Sequence, residues 1–133
     1  MIKRSKIFYV YALMAFERGD YDMTLFMCEQ SVQLRIKAVL LRLLGYIPKG
    51  HRVRELLMML SKTLESLGRE DLVREIFDLI SFYRDDLRLL EEAYTGSRYL
   101  SRIYDKDDAE KAIKIVDKIF SLVEKVERIV FSK

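Results

Sequence analysis

Apolar positions recur every three or four residues from end to end of this chain, the spacing of helices that bury one side. In the first stretch Ile7, Tyr11 and Met14 share a stripe, with Phe8, Ala12 and Ala15 beside it. The pattern halts at Gly19, suited to a helix C-terminus, and Asp20 is placed to cap the next helix. That second helix is expected from about Tyr21 to Leu44. One of its apolar stripes is Leu25, Cys28, Val32, Ile36, Val39 and Leu43; another is Met27, Leu34, Ala38 and Leu41. Only Glu29, Gln33 and Lys37, with Gln30 nearby, form a polar strip. A helix apolar over most of its circumference is buried on most sides. It is therefore either the centre of a bundle or a helix shared with a second subunit, and a homodimer is expected to build on this helix or on the last one.

Gly45, Pro48 and Gly50 break the chain, and a third helix is expected to open at His51. It carries Val53, Leu56, Leu57, Leu60, Leu64 and Leu67 before Gly68. A fourth carries Val73, Ile76, Ile80, Tyr83, Leu87, Leu90 and Tyr94 and is expected to end near Thr95-Gly96, with Tyr99 to Tyr104 as a connection. The last begins after Asp105, a good N-cap, with Asp107 and Asp108 favourable in its positive first turn. Its apolar face is Ala109, Ala112, Ile113, Val116, Phe120, Val123, Val126 and Val130. Strand-like alternation does not persist, and hairpin dipeptides such as Asn-Gly are missing. Short connections favour antiparallel neighbours. The expectation is an all-α chain forming one domain over 1–133. Its architecture is an up-and-down four-helix bundle with an additional short first helix, five helices in total.

Composition narrows the function classes. A chain of 133 residues buries roughly two-thirds of its unfolded surface, so it needs neither metal nor disulfide to fold. Cys28 is the sole cysteine, which excludes an internal disulfide and fits a reducing intracellular compartment. Asn is absent while Lys, Arg and Glu abound, a composition seen in hyperthermophile proteins. The net charge of +3 is well short of a histone-like excess. Lys3, Arg4 and Lys6 read as a solvated terminus. The N-terminal segment mixes Glu17, Arg18 and Asp20 into its apolar residues, unlike a signal peptide. No apolar run approaches the roughly 20 residues that span a bilayer, and a cytoplasmic protein is expected.

Candidate chemistry is sparse. His51 is the only imidazole, and Cys28 lies mid-stripe as a core residue would. No metal site and no Cys–His pair are expected from these two. His51 reads as a first-turn residue or as a polar group near a ligand at the bundle end; a helix N-terminus favours its neutral form. Asp85-Asp86 and Asp107-Asp108 are helix neighbours about 100° apart, so each pair faces two directions. Arg84 and Arg88 are one turn apart, and Arg98 and Arg102 follow among Tyr94, Tyr99 and Tyr104. Arginine grips phosphate with a fork of donors and tyrosine stacks on bases. The candidate nucleotide or RNA site is therefore Arg84, Arg88, Arg98 and Tyr99, joined by Lys37 and His51. The alternative is that Arg84 and Arg88 pair with Glu91 or Glu92 while the tyrosines pack the bundle end. With no phosphate loop, dinucleotide fingerprint, zinc pattern or nucleophile elbow, no catalytic residue and no cofactor is assigned.

Several short elements stand in a distinctive order. Gly19-Asp20-Tyr21-Asp22 precedes the long helix, and Glu29-Gln30 and Lys37 lie within it. Gly45, Pro48, His51 and Leu56-Leu57 follow, then Tyr94-Thr-Gly-Ser-Arg98-Tyr99, then Asp105 with Asp108-Ala109-Glu110. This order resembles the HEPN family of small prokaryotic helical-bundle proteins. The resemblance implies a homodimeric bundle with a nucleotide- or RNA-related role, often paired with a minimal nucleotidyltransferase in a toxin–antitoxin module. Ribonuclease members of the family carry Arg, four to six residues, then His on one helix. Here Arg42 precedes His51 across a Pro-containing break, so the resemblance implies binding rather than catalysis. Two alternatives stand: a protein–protein interaction scaffold, and a HEPN ribonuclease that works without histidine. Ala12 to Val32 is also similar to one tetratricopeptide unit, but no second copy follows at about 34 residues.

Overall fold

The structure, a computed structural model, describes residues 1–49, 52–99 and 104–132, with the backbone alone for 94–99. Six helices follow one another: α1 (Ile2–Glu17), α2 (Tyr21–Leu44), α3 (Val53–Ser66), α4 (Glu70–Phe82), α5 (Arg84–Tyr99) and α6 (Lys106–Val130). No strand occurs among the described residues.

Local chemistry sets the helix ends. Gly19 takes φ 76°, a left-handed conformation that costs glycine little. The Asp20 N–H then closes the turn by donating to the Ala15 carbonyl at 2.9 Å. The Asp20 carboxylate caps α2, accepting the Met23 N–H at 3.4 Å. At the start of α6, Asp105 accepts the Asp108 N–H at 2.8 Å while Asp108 accepts the Asp105 N–H at 3.2 Å. This reciprocal pair satisfies two helix-end donors at once.

Helix α2 is the centre. α1, α3, α5 and α6 all pack on it, and Leu25, Cys28, Val32, Ile36, Val39 and Leu40 are fully buried there. Much of its wide apolar surface is thus covered within one chain, while Met23 and Leu41 stay exposed. The buried residues of all six helices join one contiguous core.

Between residues 73 and 99 the structure departs from the sequence expectation. The apolar spacing predicts one helix ending near Thr95; instead the chain bends at Tyr83, α4 and α5 separate, and α5 continues through Tyr99. Among the described residues the count is therefore six helices, not five. The first helix is also a full 16 residues rather than a short one. No glycine or proline marks the bend, and Ile76, Ile80, Tyr83, Leu87 and Leu90 keep helical spacing through it. Backbone bonds even continue across: Tyr83 N–H to Leu79 O and Leu87 N–H to Tyr83 O, both at 2.9 Å. Packing sets the bend, with α4 laid mainly on α3 and α5 on α2.

Candidate functional site

A polar seam interrupts the core where α2 meets α5. Glu29 sits in the middle of α2 with no exposed surface. Its carboxylate accepts hydrogen bonds from Gln33 Nε2 at 2.5 Å and Gln30 Nε2 at 2.9 Å. The i,i+4 relation brings Gln33 onto the same face, and the half-buried Lys37 continues it one turn on. Burial pushes the Glu29 carboxyl up to about 7, against the stabilising bonds from Gln33 and Gln30 and the charge of Lys37. Glu91 on α5 adds a smaller repulsion.

Glu91 is itself locked. Arg54 of α3 grips it with a fork, Nε to Oε2 at 2.8 Å and Nη2 to Oε1 at 2.8 Å, and the Arg54 backbone N–H adds a third bond at 3.1 Å. The bond to Glu91 raises the Arg54 guanidinium above its ordinary range. Helices α2, α3 and α5 therefore meet around two carboxylates. Sequence reasoning misses Arg54, because nothing in a one-dimensional pattern pairs it with a residue 37 positions away.

The sequence-predicted residues fall in separate places. Arg84 is exposed at the first turn of α5. Arg88 is exposed and pairs with Asp85 at 3.7 Å, not with Glu91. Arg98 and Tyr99 close the same helix, and their side chains lie outside the described residues. Arg84 and Arg98 are thus separated by roughly 20 Å of helix. α5 runs antiparallel to α2: Glu91 lies near Glu29, and beyond the end of α5 the Tyr104 N–H donates to Asp22 at 3.1 Å. The Gly-Asp-Tyr-Asp element so holds the backbone at Tyr104, just before α6. Lys37 belongs to the opposite, Arg84 end of the seam. His51 and Arg102 lie outside the described residues.

A second polar cluster goes unannounced in the sequence motifs. Lys6, Arg35, Arg42, Arg128, Glu124 and Glu127 line a cleft of about 510 Å³ beside the C-terminal turns of α2 and α6. Arg35 is only 2% exposed, and its Nη2 donates to Glu127. Its Nε and Nη1 are buried without a hydrogen-bond acceptor among the described residues. Arg42 lies over the Phe131 ring, 3.8 Å from the centroid, with its Nη1 3.7 Å from Glu127. A sequence signal for Arg35 does exist: it stands three residues after Val32 and four before Val39, inside the apolar stripe.

Other buried polar groups are structural. The Tyr9 hydroxyl donates to Asp117 at 2.7 Å, tying α1 to α6. Burial and then the Asp117 bond hold that phenol well above its usual range. Burial likewise pushes the Cys28 thiol far up, which leaves it without the thiolate a nucleophile needs. Among the described residues, no group of three or more His, Cys, Asp or Glu could hold a metal ion. No helix among them is long and apolar enough to cross a membrane.

Comparison with curated proteins and with solved structures gave no match. Against models of protein families, residues 1–126 match the HEPN domain. That span takes in the Gly19–Asp22 element, the α2–α5 seam and most of α6, and the chain belongs to the HEPN domain family.

Proposed function

We propose that this chain binds nucleotide or RNA at the α2–α5 seam and the Arg98–Tyr99 end of α5, as a binding module rather than a hydrolase. The observation that carries the reading is Glu29, a carboxylate with no exposed surface at the centre of the bundle. Burying it is costly, and an apolar residue there would fold the bundle more easily. Departures of this kind are expected at functional sites. In this reading Arg98 contacts phosphate and Tyr99 stacks on a base, with Lys37 and His51 as further contacts. Arg84 and Arg88, exposed at the other end of α5, reach phosphates further along the same strand. Their separation from Arg98 favours an oligonucleotide over a single nucleotide.

The same reading includes a homodimer and a minimal nucleotidyltransferase partner in a toxin–antitoxin-type module. Support for the homodimer comes from α1. Ile7, Val10, Tyr11 and Met14 are each between 41% and 52% exposed and follow one helical stripe. By contrast, no large apolar residue of α6 is among the exposed ones. That stripe also favours the second reading, a protein-interaction scaffold without nucleic-acid binding.

Anisotropy titration of a short single-stranded RNA at low and moderate salt tests the proposal. Wild type should bind, more weakly as salt rises. Arg98→Ala should lose about tenfold in affinity, the effect of one charged hydrogen bond, at an unchanged melting temperature. Equal affinity in both proteins, or none in either, selects the scaffold.

A further inference from the structure

The cleft at the C-terminal ends of α2 and α6 has no part in that reading, and its chemistry is specific. Among the described residues that line it, Arg35, Arg42, Arg128 and Lys6 stand against two carboxylates, Glu124 and Glu127, so its charge favours an anion. Basic side chains in a last helical turn are ordinary complements to the helix dipole, and Arg42 and Arg128 occupy such turns. Arg35 does not: it lies within α2, almost wholly buried. Glu127 takes one of its amino groups and fixes the guanidinium. Its Nε and Nη1 are left with no acceptor among the described residues. Buried donors are nearly always satisfied, and one left unmade is expensive. Arg42 is half exposed, and its 3.7 Å approach to Glu127 is too long for a hydrogen bond. Its donors are therefore open to a stronger acceptor. The cleft is largely open to solvent, with about 510 Å³ of room, enough to admit a small anion.

We propose that this cleft is a subsite for a small phosphate-bearing ligand. Lys6, Arg42 and Arg128 meet its outer oxygens. An oxygen that enters as Arg42 lifts from Phe131 supplies Arg35 with the acceptor it lacks. Glu127 is a positioning residue: it holds the Arg35 guanidinium while neutralising part of its charge. A group with several oxygens suits the site, because the donors approach from α1, α2 and α6 rather than from one side.

The test is calorimetric titration of the full chain with inorganic pyrophosphate. Wild type should bind one pyrophosphate per chain, more weakly as salt rises. The Arg42→Gln/Arg128→Gln double variant, which changes only exposed positions, should bind at least about tenfold more weakly with an unchanged melting temperature. Lys62→Gln, exposed on α3 away from both sites, should bind pyrophosphate as wild type does. No binding by wild type overturns the proposal, as does wild-type affinity in the double variant. So does an equal loss in Lys62→Gln, which would make the binding a general response to surface charge. Because the probe here is pyrophosphate and the variants avoid the seam, failure of RNA binding at Arg98 and failure of this subsite are separate results.

Discussion

Replacing Glu29 with Gln should reverse the sign of its effect on stability between acid and alkaline pH. In the unfolded chain this carboxyl ionises near 4.5, and in the fold near 7. Below the lower value both states are protonated and burial carries no ionic penalty. Between the two, the unfolded chain releases its proton first, so unfolding becomes easier as pH rises. Above about 7 both states are ionised and the loss is complete. At about 1.36 kcal/mol per pH unit, the fold loses about 3 kcal/mol across that window. The Glu29→Gln amide removes the titration and replaces one oxygen with an NH2 that cannot accept, whereas even the protonated carboxyl keeps two oxygens able to accept. One of the bonds from Gln30 and Gln33 goes, at about 1 kcal/mol. The variant should therefore be about 1 kcal/mol less stable than wild type near pH 4 and about 2 kcal/mol more stable near pH 8. Urea unfolding followed by circular dichroism at several pH values measures this, and the difference between the two proteins cancels the other titrating groups. A difference that stays constant from pH 4 to pH 8 would refute a buried, proton-linked Glu29.

Arg54→Met should destabilise by about 3 kcal/mol, because it strands Glu91, whose side chain is 7% exposed, without its fork; the double variant Arg54→Met/Glu91→Met should recover most of the loss in urea titrations. Leu57→Ala empties part of the core where Leu57 is fully buried and should cost about 2–5 kcal/mol in the same assay. Val10→Glu with Tyr11→Glu should convert a homodimer to monomer in sedimentation at an unchanged melting temperature, since both side chains are half exposed in the chain; a wild type that sediments as a monomer at micromolar concentration removes the dimer.

Much of the fold is legible in single residues. Gly19 and Asp20 mark the α1–α2 turn, and Asp105 with Asp108 marks the start of α6, because helix ends are settled by the side chain that caps them. The apolar stripes of α2 point to a helix either central or shared with a second subunit, and four neighbours in the same chain pack on it. The bend at Tyr83 is not legible, since the apolar spacing runs straight through it and only packing on α3 and α2 turns the chain. The site is legible in pieces. Glu29, Gln33 and Lys37 stand out as the polar strip of an apolar helix, but their neighbours Arg54 and Glu91 come from elements distant in sequence. Arg84 and Arg88 attract notice by proximity to Arg98, yet α5 is one helix to Tyr99 and carries them to its other end.

The most direct test of the binding account is amide hydrogen exchange, read along the chain, with and without a short single-stranded RNA. The account predicts slowed exchange in the last turns of α5, residues 94–99, and around Lys37, with α1 unchanged at constant protein concentration. Protection confined to other helices, or no change at saturating RNA, would contradict it.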